Sequence, residues 1–193
     1  MYEFIKGKVA EITPAYTIIE NNQIGYFVNV SLHTYSQISE KTEITLFLEE
    51  VVREDAFNLY GFATKSEREI FRHLLSVSGV GANTARVILS SMTPEEIKKA
   101  ILHNEVNTLK KVKGIGAKSA QRIIVDLKDK LSKTEIEEDF VKPANNTIKE
   151  EALSALVTLG FTKSKVEKVL DELIEKEGDI QVEQIIKKAL SKL

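Results

Sequence analysis

Two segments of the chain repeat one another at a constant offset of 35 residues, and both place glycine where backbone could meet phosphate. Leu74–Leu75–Ser76–Val77–Ser78–Gly79–Val80–Gly81–Ala82–Asn83–Thr84–Ala85 returns as Leu109–Lys110–Lys111–Val112–Lys113–Gly114–Ile115–Gly116–Ala117–Lys118–Ser119–Ala120. In each, an apolar helix end leads into Gly–aliphatic–Gly, and a small or hydroxylated residue opens a second helix. Glycine accepts positive φ and lets a ligand approach the main chain. The new helix offers unpaired N–H groups and the positive end of its dipole, which together suit an anion. The expected phosphate contacts are Ser78, Gly79, Gly81, Asn83 and Thr84 from the first copy, and Lys113, Gly114, Gly116, Lys118, Ser119 and Arg122 from the second. Loops of this kind touch sugar–phosphate oxygens and not base edges, so little direct sequence specificity is expected. Helix packing alone would account for a lone Gly-x-Gly; two copies with matched flanks fit it poorly.

The pattern is that of tandem helix-hairpin-helix motifs, and the charge distribution agrees with it. The whole chain carries a net charge of −2, which is unpromising for a nucleic-acid binder. Residues 1–64 hold 4 Lys/Arg against 9 Asp/Glu, residues 65–132 hold 13 against 7, and residues 133–193 hold 10 against 13. The net charges are therefore −5, +6 and −3, and the only basic segment is the one with both glycine loops. Such a concentration is an electrostatic footprint for a polyanion.

Other chemistries find no support. With no cysteine, neither a disulfide framework nor a thiolate metal site is available, and a reducing, cytoplasmic location is expected. No apolar run approaches the length of a membrane span, and the N-terminus has no signal-peptide pattern. Gly114–Ile115–Gly116–Ala117–Lys118–Ser119 lacks the spacing of a Walker loop. His33, His73 and His103 form no metal-ligand spacing, and no Ser-His-Asp arrangement can be assembled. No catalytic residue, metal or cofactor is expected.

The elements that must position the loops divide the chain into four parts. Residues 1–64 read as all-β, with strands at Phe4–Ile12, Tyr16–Glu20, Ile24–Val30, Glu43–Arg53 and Ala56–Phe62, a turn at Asn21–Asn22 and a bend at Gly7. Five short strands in this length suggest an OB-type barrel, with Glu54–Asp55 as a polar hairpin tip. Residues 65–132 are helical; Ser66 is the expected first cap, and Thr93–Pro94–Glu95–Glu96 starts a helix between the two loops. Residues 133–147 are polar and aperiodic and read as a flexible linker. Residues 148–193 form three short helices, the first two ending at Gly160 and Gly178, with apolar faces through Leu153, Leu156 and Val157 and through Ile185, Ile186, Ala189 and Leu190. The fold class is thus multidomain α+β: barrel, tandem helix-hairpin-helix domain, linker and three-helix bundle.

From residues alone, three readings stay open: a DNA-binding scaffold, an accessory part of a repair nuclease or ligase, and an adaptor whose barrel binds protein or single strands. The order of parts, the segment Val51–Val52–Arg53–Glu54–Asp55–Ala56…Leu59–Tyr60–Gly61–Phe62, the two glycine loops and Leu156–Val157–Thr158–Leu159–Gly160–Phe161 together resemble the RuvA family over the whole chain. That resemblance implies a homotetramer, or two stacked as an octamer, holding a four-way DNA junction open for the hexameric ATPase RuvB, with the resolvase RuvC as a further partner. It implies an acidic pin at Glu54 and Asp55, whose charges disfavour plain duplex at the crossover. The tail, similar to ubiquitin-associated bundles, is implied as the RuvB-docking domain through Leu156, Leu159 and Phe161, although core packing accounts for each of the three equally well. Asn83 departs from the family, in which a basic residue is frequent there. The first loop is then expected to rely on amides, Thr84 and Arg86, and Lys118→Ala to weaken binding more than Asn83→Ala.

Overall fold

The computed structural model describes residues 1–138, 144–177 and 181–193. The chain forms two compact units, Met1–Glu135 and Ile136–Leu193. The first opens with strands β1 (Phe4–Ile12), β2 (Tyr16–Asn21), β3 (Ile24–Val30), β4 (Glu43–Arg53) and β5 (Ala56–Phe62), closed into a barrel in the order β1-β2-β3-β5-β4. All neighbours are antiparallel except β3 and β5. Alternation fills the interior: Ile44, Leu46 and Leu48 of β4 are buried at every second position, beside Ile19, Val28 and Val30. Gly7 marks where β1 changes partner, since Lys8 pairs with both Glu43 of β4 and Glu20 of β2. A Cβ on Gly7 would stand 2.3 Å from the Glu20 carbonyl oxygen. The β2–β3 turn falls at Asn22 and Gln23, one residue later than expected, with φ of +48° and +67°.

One element of this region departs from the all-β reading. Leu32–Ile38 is a helix, α1, whose cap Ser31 accepts a hydrogen bond from the Thr34 amide. Seven residues with only Thr34 and Ile38 buried carry too little periodicity to announce themselves.

The helices that follow are α2 (Lys65–Leu75), α3 (Ala82–Ser91), α4 (Pro94–Leu102), α5 (Val106–Lys110) and α6 (Ala117–Glu138). Thr64, not Ser66, caps α2, accepting from the Glu67 amide at 3.2 Å. At α4 the capping box is complete: Thr93 Oγ1 accepts from the Glu96 amide, and Glu96 Oε2 accepts from the Thr93 amide at 2.8 Å. Barrel and helices share their apolar core, because Tyr60 and Phe62 of β5 pack with Phe71 of α2 at ring-centroid distances of 5.0 and 4.9 Å. Helix α6 runs six residues past the expected domain end at 132.

The second unit contains α7 (Ala144–Thr158), α8 (Lys163–Glu177) and α9 (Val182–Leu190). Helix α7 starts four residues before the expected 148, so of the expected linker 133–147 only 139–143 lie outside the described residues; Gly178, the expected terminator of α8, also lies outside them. Gly160 ends α7 as expected: at φ +99° its amide bonds the Val157 carbonyl and the Phe161 amide bonds that of Leu156, a Schellman closure. The core is Ala152, Leu156, Val166, Leu170, Leu173, Ile185 and Ala189. Val157 and Leu190, expected on the apolar faces, are exposed.

Candidate nucleic-acid interface

The two glycine loops have one construction. Val77 donates to the Leu74 carbonyl at 3.1 Å, Val80 to Val77 at 3.0 Å and Ala85 to Gly81 at 2.9 Å. In the second loop Val112 donates to Leu109 at 3.2 Å, Ile115 to Val112 at 3.1 Å and Ala120 to Gly116 at 2.9 Å. Val77, Val80, Val112 and Ile115 are buried and anchor the loops, each worth about 1.5–3 kcal/mol of apolar burial. Between them, Ser78, Gly79, Gly81 and Lys113, Gly114, Gly116 face solvent. Gly79 and Gly114 hold φ of +87° and +90°, which only glycine takes without strain. The first helical bond of α3 starts at Ala85 and that of α6 at Ala120, so the amides of Ala82–Thr84 and Ala117–Ser119 stand outside the helix ladders. Had the loops been sealed in the interior, a phosphate role would have been excluded.

The side chains around the loops fall into two groups. Lys113 and Lys118 are exposed beside the second loop. Arg122, one turn into α6, reaches back to the first loop, its Nη1 donating to the Ser78 carbonyl at 3.4 Å. The structure thus brings Arg122 and Ser78 together although 44 residues separate them. Thr84 and Ser119 are half-buried at the helix starts. Asn83 is exposed, with Oδ1 3.5 Å from the Tyr60 hydroxyl of the barrel. Arg86 is not turned to the loop: its Nη1 donates to the Ala15 carbonyl at 3.0 Å and to Asn29 Oδ1 at 3.2 Å. The expectation that Arg86 reinforces the first loop is corrected accordingly, since spacing places it one turn into α3 but does not say which way it leans.

Glu54 and Asp55 form the two-residue turn joining β4 to β5, between the paired Arg53 and Ala56, and both are exposed. Around this tip Val51–Arg53 pair with Ala56–Asn58 alone, because β3 meets β5 at Leu59–Gly61 and β1 meets β4 at Glu43–Phe47. Arg53, given no role from sequence, extends from this ribbon toward the first loop, and its Nη2 lies 3.9 Å from where a Cβ on Gly81 would stand.

Sequence reasoning also missed what holds barrel and helices together. Glu67 of α2 is fully buried, accepting from Ser31 Oγ at 2.5 Å and Thr34 Oγ1 at 2.6 Å, while Thr34 Oγ1 accepts from the Ala63 amide at 3.1 Å. Burial pushes the Glu67 carboxyl above its ordinary range, against the hydroxyl donors that pull it down. A lone Glu in a helical first turn gives no sequence signal of this, because its partners lie in the unanticipated α1.

In the second unit, Leu156 is fully buried, and so is corrected from a docking residue to a core residue: α7 must open for it to touch a partner. Leu159 is 61% exposed, and Phe161 packs partly buried against the core. Among the described residues, no group of three or more His, Asp or Glu side chains could hold a metal ion, and no helix is long and apolar enough to cross a membrane.

Comparison with known proteins covers the chain from end to end. Residues 1–61 match the family model of the RuvA N terminal domain, residues 71–129 that of the SAM-like helix-hairpin-helix tandem, and residues 147–193 that of the RuvA C-terminal domain. The chain is 49% identical over 193 residues to the Holliday junction branch migration complex subunit RuvA of Christiangramia forsetii, with 100% of both chains covered. The subunits of the same name from Bacteroides fragilis and Flavobacterium psychrophilum are 47% and 46% identical, over 201 and 193 residues, again with 100% of both chains covered. By these matches and by the two glycine loops set against a five-stranded barrel, the chain belongs to the RuvA family.

Proposed function

We propose that this chain binds four-way (Holliday) DNA junctions by their structure and not their sequence, holds them open, and recruits the ATPase RuvB for branch migration in recombination and repair. The observation that carries the reading is the paired loops. Each presents an exposed Gly-x-Gly bend and free helix-start amides on buried aliphatic anchors, in the one basic segment of the chain. Amides in this geometry hold phosphate oxygens, and Lys113, Lys118 and Arg122 add charge-assisted contacts. Backbone contacts of this sort fix register without reading bases, as a protein acting at any sequence requires.

The exposed Glu54–Asp55 tip serves as the pin. Its carboxylates repel the phosphates of an intact duplex and fit the opening between strands at a crossover. The second unit docks RuvB, with Leu159 as the exposed apolar contact. The chain carries no ATPase site of its own, and the motor is RuvB. Assembly as a cytoplasmic homotetramer, alone or stacked as an octamer, and access of RuvC to the bound junction complete the proposal. The test compares binding to a synthetic four-way junction, a matched linear duplex and a single strand at one salt concentration, with sedimentation mass measured alongside. Tight junction preference by a tetramer supports the reading. Equal binding to all three DNAs overturns it.

A further inference from the structure

We infer that Arg53, on the barrel, supplies the first glycine loop with the cation its own sequence lacks, so that its guanidinium and the amides of Ala82–Thr84 hold one phosphate between them. The inference rests on the phosphate reading of the loops given above. At the offset of 35 residues, Lys118 of the second loop corresponds to Asn83 of the first. The two loops share backbone construction but not charge, and a neutral loop beside a cationic one is an asymmetry that the surrounding structure either leaves or repairs.

The nearby cations separate clearly. Arg86 is committed to Ala15 and Asn29 of the barrel, and Arg122 donates to the Ser78 carbonyl at the opposite end of the loop. Arg53 reaches the helix-start end, with Nη2 3.9 Å from the Cβ position of Gly81. Together with Val51, Tyr60, Gly81, Asn83 and Thr84 it lines a recess of about 130 Å3. Although two carboxylates follow it directly in sequence, Arg53 has neither an ion pair nor a hydrogen bond among the described residues. Its five N–H donors are therefore free for a ligand.

Electrostatics supplies the sign of that ligand. A guanidinium at the N-terminus of α3 faces the positive end of the helix dipole, which repels it. An anion seated between the two turns that repulsion into two attractions. A phosphate oxygen meets both needs, accepting from backbone N–H groups and from a planar guanidinium together.

The experiment measures junction affinity of the full chain against salt concentration. For each phosphate that the protein no longer neutralises, the slope of log affinity on log salt falls by about 0.9, so a variant's deficit shrinks about 3.5-fold between 50 and 200 mM salt. Arg53→Ala is expected to lower the slope as Lys118→Ala does, and Arg53→Lys to retain most of it. Adding Asn83→Lys to Arg53→Ala is expected to restore the slope, because the charge returns to the same loop from the helix side. A wild-type slope for Arg53→Ala, with Lys118→Ala reduced, overturns the assignment and leaves the loop reading standing. A reduced slope in Arg53→Ala that Asn83→Lys does not repair also overturns it, since the arginine then acts elsewhere. If neither Arg53→Ala nor Lys118→Ala moves the slope, the phosphate reading of the loops itself fails. Arg53 is exposed at a strand end, and an unchanged thermal transition identifies each variant as folded.

Discussion

Gly114 and Gly116 lie two residues apart and separate backbone strain from access to the backbone. Apart from its chain neighbours, neither Cβ position has a heavy atom of the described residues within 4 Å, so alanine meets no packing obstacle at either site. Gly114 sits at φ +90°, where an L residue is strained by about 1–2 kcal/mol. With about 2.1 cal/mol/K of unfolding entropy per residue over the 135-residue unit, that strain lowers its transition by roughly 4–7 °C. Gly116 has no positive φ, and alanine there costs only its poorer fit at a helix start, below about 1 kcal/mol. Its methyl group instead stands beside the amides opening α6. Spoiling one hydrogen bond to a charged phosphate costs about 1.5–3 kcal/mol, or roughly 10- to 150-fold in affinity for each loop engaged. Thermal melts by far-UV circular dichroism and anisotropy titration of a labelled four-way junction read the two effects independently. Gly114→Ala is expected to melt early, whereas Gly116→Ala melts near the wild type and binds at least about tenfold more weakly. Wild-type affinity in a folded Gly116→Ala protein refutes close approach of phosphate to this bend.

Three other variants test separate parts of the reading. Glu54→Gln with Asp55→Asn is expected to strengthen binding to linear duplex several-fold and narrow the preference for a junction, read by titrating both DNAs at fixed salt; unchanged discrimination removes the pin. Arg86→Met is expected to lower stability by about 1–2 kcal/mol in urea titration, by removing its hydrogen bonds to the barrel, while leaving the salt slope of DNA binding intact. Glu67 sets a pH dependence: between the ordinary carboxylate range and its raised folded value, the folded chain holds more protons than the unfolded one. Its contribution to stability is therefore greatest below that window and is lost as pH rises through it. Glu67→Gln is expected to gain on the wild type as pH rises through the window, measured by urea unfolding at a series of pH values; parallel curves contradict the linkage.

Much of the architecture was readable from pattern because alternation and caps are local signals. The limits of β1, β3, β4 and β5 follow from apolar alternation and turn residues, and the capping box at Thr93–Glu96 from four consecutive residues. What escaped depends on contacts distant in sequence. Helix α1 is stabilised by Glu67, 36 residues beyond its cap Ser31, and the direction of Arg86 is set by Ala15 and Asn29. Lys133–Glu138 reads as linker by polarity, yet these residues include good helix formers and continue α6. The two glycine loops were legible because the motif is written twice. The nearness of Arg53 to the first loop was not, because it depends on how the barrel seats against the helices.

The acidic turn is carried on a cantilever. Beyond Val51, which is partly buried against the helical core, the β4–β5 ribbon is two strands wide, and its Val52 and Phe57 side chains are 66% and 56% exposed. A two-stranded strip has little stiffness of its own, so its compliance is governed by the clamp at Val51 and Tyr60. Negative charge at the free end can therefore yield sideways while the barrel behind it keeps its shape.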